Sequence, residues 1–201
     1  MWAVTIVVIV GSIVGVGWWL QGEQAKPAAA TQPAASGPPT VTIGHDYYFF
    51  IRLVEFTPLN PKGKKWDTDG SAPDADIRLT WRGSRTFSLP KRKNQLISTW
   101  DLFRVDVSSL ITTGSTDIAS MINGPIIRIM PNETITVEVF DDDPMMSDLA
   151  LKLEIPLAQL HEGRNDLDIP PKSALTRLRI DLIDTATPLA DLVKWQTGGG
   201  K

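Results

Sequence analysis

The sequence predicts an all-β domain, an antiparallel sandwich of eight strands, held to a membrane by one N-terminal helix. Three observations predict it. From Val41 onward, apolar and polar residues alternate in short runs broken by Gly, Pro and Asp, the period-two pattern of half-buried strands. Residues 2–20 contain no charged side chain. Residues 21–40 (QGEQAKPAAATQPAASGPPT) hold almost nothing apolar that is larger than alanine or proline. The chain therefore divides into a transmembrane helix (2–20), a Pro/Ala-rich linker (21–40), a β-sandwich (41–185) and a C-terminal tail (186–201).

The anchor follows from length. Nineteen residues at about 1.5 Å each span roughly 28 Å, close to the ~30 Å hydrocarbon core of a bilayer. Trp2 at one end and Trp18 and Trp19 at the other occupy the positions of interfacial aromatic belts. A cleaved signal peptide would carry a basic leading segment and a small-residue cleavage site, and Trp-Trp-Leu-Gln-Gly supplies neither. Gly11 and Gly15 form a small-xxx-small pair that lets a second membrane helix approach closely, so other integral membrane proteins are expected partners. Glycine is also common in membrane helices without any such partner. The linker cannot bury enough surface to fold and is expected to be extended, reaching up to roughly 60 Å from the bilayer. Spacers of this kind join inner-membrane anchors to periplasmic domains, and the domain is expected on that side.

Composition excludes several functions. Twenty basic and 23 acidic residues leave a net charge of −3, so nothing global points to nucleic acid. Cysteine is absent, which removes disulfides, thiolate metal sites and a cysteine nucleophile together. His45 and His161 stand alone, and no nucleophile elbow, phosphate loop or His-Glu-x-x-His occurs. No catalytic activity and no small-molecule substrate are expected.

Within the domain, strands are expected near 41–56, 76–81, 84–89, 95–106, 126–130, 134–140, 149–155 and 174–183, with local helix at Ser108–Met121 and Leu189–Trp195. The strand over 134–140 delivers Asp141, Asp142, Asp143 and Asp148 onto one turn marked by Pro144. Like charges packed so tightly are unfavourable unless a cation sits among them, and hard oxygen ligands in a flexible loop suit Ca²⁺. The turn alone reads equally well as a solvated charged loop. A second acidic turn, residues 66–76, carries Asp67, Asp69, Asp74 and Asp76. It is no helix-loop-helix calcium loop: glycine stands fourth instead of sixth, and the twelfth position is Arg78.

Two acidic turns, one before a strand and one after another, resemble the C2 domains, the calcium-dependent lipid-binding sandwiches. The resemblance covers about residues 43–184. Asp67, Gly70, Ser71 and Pro73-Asp74 lead into Ile77–Trp81, like the family's first loop. Val139-Phe140-Asp141-Asp142-Asp143, then Ser147-Asp148-Leu149-Ala150, is similar to its third. Leu153-Glu154-Ile155-Pro156-Leu157 follows as in the family, and Trp100 sits at the family's strand-entry tryptophan. The Trp-Asp-x-Asp-Gly-Ser-Ala-Pro-Asp form resembles bacterial, membrane-associated versions. Departures are the wider spacing of Asp67 and Asp74, a proline before the acid instead of after it, a shorter third loop, and Ala150 in place of glycine. The resemblance implies a C2-like sandwich and a Ca²⁺ site built from Asp67, Asp74, Asp141, Asp143 and Asp148.

Lys91, Arg92 and Lys93, with Arg82 and Arg85 upstream, are expected either as a basic patch for an anionic surface or as a solvated turn. Met145 and Met146, at the tip of the acidic loop, are expected to enter lipid, grip a partner or fold back. Two functions follow: a membrane-anchored binding module, calcium-dependent in the C2 manner, or a structural accessory subunit packing through its helix into a larger membrane complex.

Overall fold

A computed structural model of the chain describes residues 40–108, 118–143 and 147–198. The expected transmembrane helix with Trp2, Gly11, Gly15, Trp18 and Trp19, the linker up to residue 39, and Met145 and Met146 lie outside those residues. Among the described residues no helix is long and apolar enough to cross a membrane.

The chain runs β1 (Asp46–Phe56), β2 (Ala75–Trp81), β3 (Ser84–Ser88), β4 (Ile97–Thr99), a short helix α1 (Ile118–Met121), β5 (Ile126–Arg128), β6 (Thr134–Asp141), β7 (Asp148–Pro156), a 3₁₀ turn (Leu157–Gln159), β8 (Gly163–Leu167), β9 (Leu175–Asp184) and α2 (Leu189–Gln196). One sheet has the order β4-β1-β9-β8, with β5 also on β1; the other has β3-β2-β6-β7. Every pairing among these strands is antiparallel.

The expected alternation is what closes the sandwich. Ile77 and Leu79 of β2, Ile135, Val137 and Val139 of β6, and Leu178, Ile180 and Leu182 of β9 point into one shared core with Phe49 and Ile51 of β1. Each such side chain, fully removed from water, contributes about 1.5–3 kcal/mol before entropy is subtracted. β1 departs from the rule, because Tyr47 to Ile51 are all buried. Its second face, Tyr48 and Phe50, forms a smaller cluster with Leu102, Phe103, Ile122, Ile183 and Leu192, the last from α2. That explains the continuous apolar run: a strand covered on both faces has no polar positions to alternate. Gly124 is what lets the segment leading to β5 lie against β1. A Cβ there would sit 2.3 Å from the carbonyl oxygen of Phe49.

Three places differ from the sequence expectation. Nine strands stand among the described residues, and β8 is the one not foreseen. Its buried positions are Gly163 and Asn165, so the five residues GRNDL carry no apolar alternation. Asn165 takes part because its side-chain N–H groups reach the carbonyls of His161 (2.9 Å) and Gly163 (3.0 Å). The segment 95–106 yields only the three residues of β4, since Trp100 turns inward and donates to the Pro90 carbonyl at 2.7 Å. Residues 41–45 form a turn before β1, with Gly44 bonded to the Ile129 carbonyl. Of the helix expected at Ser108–Met121, Ser108 and α1 are the described parts, both helical; residues 109–117 lie outside. The tail expectation, Leu189–Trp195, matches α2.

Candidate metal centre

Register sets the site. Ala75, the first residue of β2, pairs with Asp141, the last of β6, so the acidic turn before β2 and the one after β6 meet at one end of the sandwich. Two hydrogen bonds fasten them: Asp142 N–H to the Asp74 carbonyl (2.9 Å) and Asp74 N–H to Asp141 Oδ1 (2.7 Å). The first turn is shaped by its own small polar residues. Asn60 Oδ1 accepts from Lys62 and Lys64 N–H, and the Asp67 carbonyl accepts from Gly70 N–H. Gly70 has φ +84, which a residue with a side chain adopts poorly. Ser71 Oγ donates to Asp67 Oδ2 (2.6 Å) and lies 2.7 Å from Asp69 Oδ1.

Carboxylate oxygens of Asp67, Asp141 and Asp143 lie within 4.8 Å of one another. Asp141 is 0 % exposed, and its second oxygen, Oδ2, is buried without any hydrogen-bond partner. Burial raises the pKa of Asp141, the Asp74 N–H opposes that, and the charges of Asp67, Asp74 and Asp148 raise it further. Asp143 is pushed up to about 6, chiefly by its hydrogen bond with Asp67, then by burial and by the charges of Asp141, Asp67 and Asp148. Both shifts have the sign expected where anions crowd without a counter-ion.

Of the five expected ligands, three converge and two flank them. Asp74 Oδ1 accepts from Asn94 N–H at 2.8 Å, and Asp148 Oδ1 is held by Lys62 Nζ at 2.9 Å. The donor set is all oxygen, with Asp67 and Asp143 on loops, and it includes an orphaned buried carboxylate oxygen. Those features fit Ca²⁺, which takes six to eight oxygens in a flexible cage, better than Mg²⁺ with its tight octahedron.

The three consecutive basic residues, expected as a basic patch or a solvated turn, are engaged differently. Lys91 bonds to Asp142, Arg92 Nε donates to the Thr99 carbonyl, and Lys93 has no polar partner among the described residues. Arg82 sits at the other end of β2, in the Arg82-Gly83 hairpin turn, paired with Glu133 at 2.9 Å. Lys62 is the contact residue that sequence reasoning missed. Its signal was the Asn60-Pro61-Lys62-Gly63 turn, which faces the acids only once the strands are in register. Around the same end, Leu59, Leu96 and Leu149 are exposed, at 48 %, 38 % and 45 %.

No family model and no curated protein matches this sequence. Solved structures with a similar chain course include a C2 domain, at 11% identity and TM-score 0.43, covering 69% of this chain and 98% of that one. Another is the human GIVD cytosolic phospholipase A2 in complex with methyl gamma-linolenyl fluorophosphonate inhibitor and terbium chloride, at 10% identity and TM-score 0.45, covering 72% of this chain and 18% of that one. A third is the tandem pair of C2 domains of extended-synaptotagmin 2, at 16% identity and TM-score 0.43, covering 96% of this chain and 54% of that one.

Proposed function

We propose that this chain is a membrane-anchored, non-catalytic C2-like module whose acidic end binds Ca²⁺ and, when loaded, docks on an anionic lipid surface. The observation that carries the reading is the trio Asp67, Asp141 and Asp143, with the buried Asp141 Oδ2 unpartnered. Desolvating a carboxylate without a partner is costly, and a cation in the trio removes that cost and the mutual repulsion together. Asp67, Asp141 and Asp143 would hold the ion, with Asp148 joining after release from Lys62. The bound ion supplies positive charge where the trio presents only negative. The exposed leucines around that end support a lipid surface as the target, since their apolar side chains suit the headgroup boundary. The uncharged run Trp2–Leu20 supports a single-span anchor, and the linker supports a periplasmic placement of the domain.

The test is thermal unfolding of the full chain, extracted in detergent, with calcium, with magnesium and with chelator. Binding to the folded state alone stabilises it by RT ln(1 + [L]/Kd), about 2.7 kcal/mol at a hundredfold excess. For a domain of this size that is a rise of several degrees in Tm. Magnesium should give less. A protein whose Tm ignores millimolar calcium would refute the metal reading and leave the accessory-subunit function ahead.

A further inference from the structure

The β3-β2-β6-β7 sheet ends in a strand whose outer edge is open among the described residues. β7 has one neighbour, β6, and at nine residues it is longer than the strands ending the sheets elsewhere, five in β3 and in β8 and three in β4. An unpaired edge presents backbone N–H and C=O groups that another strand can take up. Which groups are on offer follows from the ladder. Leu157 N–H donates to the Glu133 carbonyl (2.9 Å), one step beyond the pair Thr134–Pro156. Hydrogen-bonded pairs alternate along an antiparallel ladder, so Leu151, Leu153 and Ile155 turn their backbone groups toward β6. Lys152 and Glu154 turn theirs outward.

The open stretch is short and its ends are defined. Before it, the Ala150 carbonyl already accepts from Ala174 N–H (3.2 Å). After it, Pro156 has no N–H to give. Leu153 lies midway between those two residues. On the inner face it is half-buried at the margin of the main core, and with Ile155, Leu160 and Leu167 it lines a recess of about 310 Å³. On the outer face Lys152 and Glu154 are exposed. Lys152 Nζ lies 3.1 Å from Glu138 across the ladder, and Arg78 stands next in the row beyond Glu138. Glu154 makes no side-chain hydrogen bond or ion pair among the described residues.

These features select both an occupant and a register. A second β7, laid antiparallel about a two-fold axis at Leu153, sets Lys152 opposite the partner's Glu154 and Glu154 opposite the partner's Lys152. Both are outward pairs, so each exchanges its N–H and C=O bonds across the junction. The Ala150 carbonyl, already taken, falls opposite the partner's Pro156, which has no N–H to offer it. The outer row then runs Arg78, Glu138, Lys152 and the partner's Glu154, alternating in sign. The two Leu153 side chains meet on the inner face. An axis at Lys152 would oppose two lysines and need the occupied Ala150 carbonyl. An axis at Glu154 would oppose two glutamates and call on the N–H that Pro156 lacks. A lone lysine on an edge strand guards against pairing. With Glu154 two residues away, the same lysine becomes attractive in this one register.

We propose that the outer edge of β7 is a homodimer interface, joining two copies of this chain into one continuous sheet through Lys152, Leu153 and Glu154. The interface does not depend on the calcium reading.

The test uses the full chain in detergent, and the absence of cysteine makes single-cysteine trapping clean. Leu153→Cys sets the new thiol opposite its own copy in a non-hydrogen-bonded pair, with Cα atoms ~4.5 Å apart and within reach of a disulfide. Mild oxidation should give a covalent dimer. Glu154→Cys, which faces the partner's Lys152 instead of its own copy, should cross-link far less. In sedimentation over a range of concentrations, Glu154→Lys and Lys152→Glu should each weaken self-association at least about fivefold, because each opposes like charges at both pairs. Mixed together, the two variants should recover it, since every lysine then faces a glutamate. Self-association through any other part of the chain would be indifferent to these changes. If Leu153→Cys does not fold, the charge mixture decides. A chain that stays monomeric, a folded Leu153→Cys protein that does not cross-link, or a mixture no tighter than its components would each overturn the proposal.

Discussion

Asp141 and Asp181 are the same residue in almost the same degree of burial, and the protein treats them oppositely. Each has one carboxylate oxygen bonded and one orphaned. Around Asp181 stand Arg52, an indole N–H and, nearby, two more guanidiniums, so its charge is compensated within the fold. Around Asp141 the nearest charges are Asp67, Asp74, Asp143 and Asp148, all of one sign. The lesson is that burial does not assign a role to a carboxylate; the sign of its neighbours does. A compensated acid holds the fold together, whereas crowding with like charges raises the cost of ionising an uncompensated one.

Substituting the two acids should therefore move stability in opposite directions. Asp181→Ala leaves the Arg52 guanidinium buried without its partner and Trp195 without an acceptor. The expected loss is the largest here, about 3–5 kcal/mol by denaturant unfolding. Asp141→Asn removes one charge from a crowd of like charges and keeps an oxygen for the Asp74 N–H. It should raise the Tm of the chelated protein by a few degrees and abolish the calcium shift. A calcium shift that survives Asp141→Asn would detach the binding from this trio.

Titration sharpens the contrast. Folded Asp143 holds its proton up to about pH 6, while an ordinary aspartic acid releases it near 3.8. Across that window the folded state binds more protons than the unfolded chain, so the stability of the chelated protein should fall as pH rises. With saturating calcium, which requires the ionised carboxylates, the slope should reverse sign. Unfolding curves at intervals from pH 4 to 7, with and without calcium, read this directly.

The smallest effect belongs to Lys62. Its ammonium occupies Asp148 where a metal would otherwise recruit that acid, but the lysine is 60 % exposed, and exposed pairs contribute about 0.2–1 kcal/mol. Lys62→Gln should tighten calcium binding by no more than roughly fivefold, measured by titration against a chromophoric chelator. An unchanged affinity would mean that Asp148 never joins the ion.

The sandwich was legible because its faces are one-sided. Ile77–Leu79–Trp81 and Leu178–Ile180–Leu182 alternate, and the strands they announce are present. The convergence of Asp67 with Asp141 and Asp143 was legible from the family resemblance, which placed both acidic turns at one end. What stayed hidden was whatever depends on a partner distant in sequence. β8 buries glycine and asparagine, and its pairing is visible only from β9. Arg52 reads as an interruption in an apolar strand until Asp181, Trp195 and Gln196 arrive from the far end of the chain. The division of labour between Lys62 and Lys91, one on Asp148 and the other on Asp142, needs the loop geometry itself.

The position of β1 has a consequence for the order in which this domain can be made. The strand is the first described and central in its sheet, and its long neighbour is the last described: Phe49 lies opposite Leu182, with β8 added only beyond β9. Contacts so far apart in sequence close slowly, because the loop between them must be ordered before any stabilisation returns. During synthesis, Tyr47–Ile51 therefore emerges as five consecutive apolar residues with neither face covered until β9 and α2 have left the ribosome. A chain stopped before Leu175 would carry a bare aromatic strand edge. Such an edge is prone to pair with other chains, so the domain should tolerate C-terminal truncation far less well than the exposure of Thr197 and Gly198 suggests.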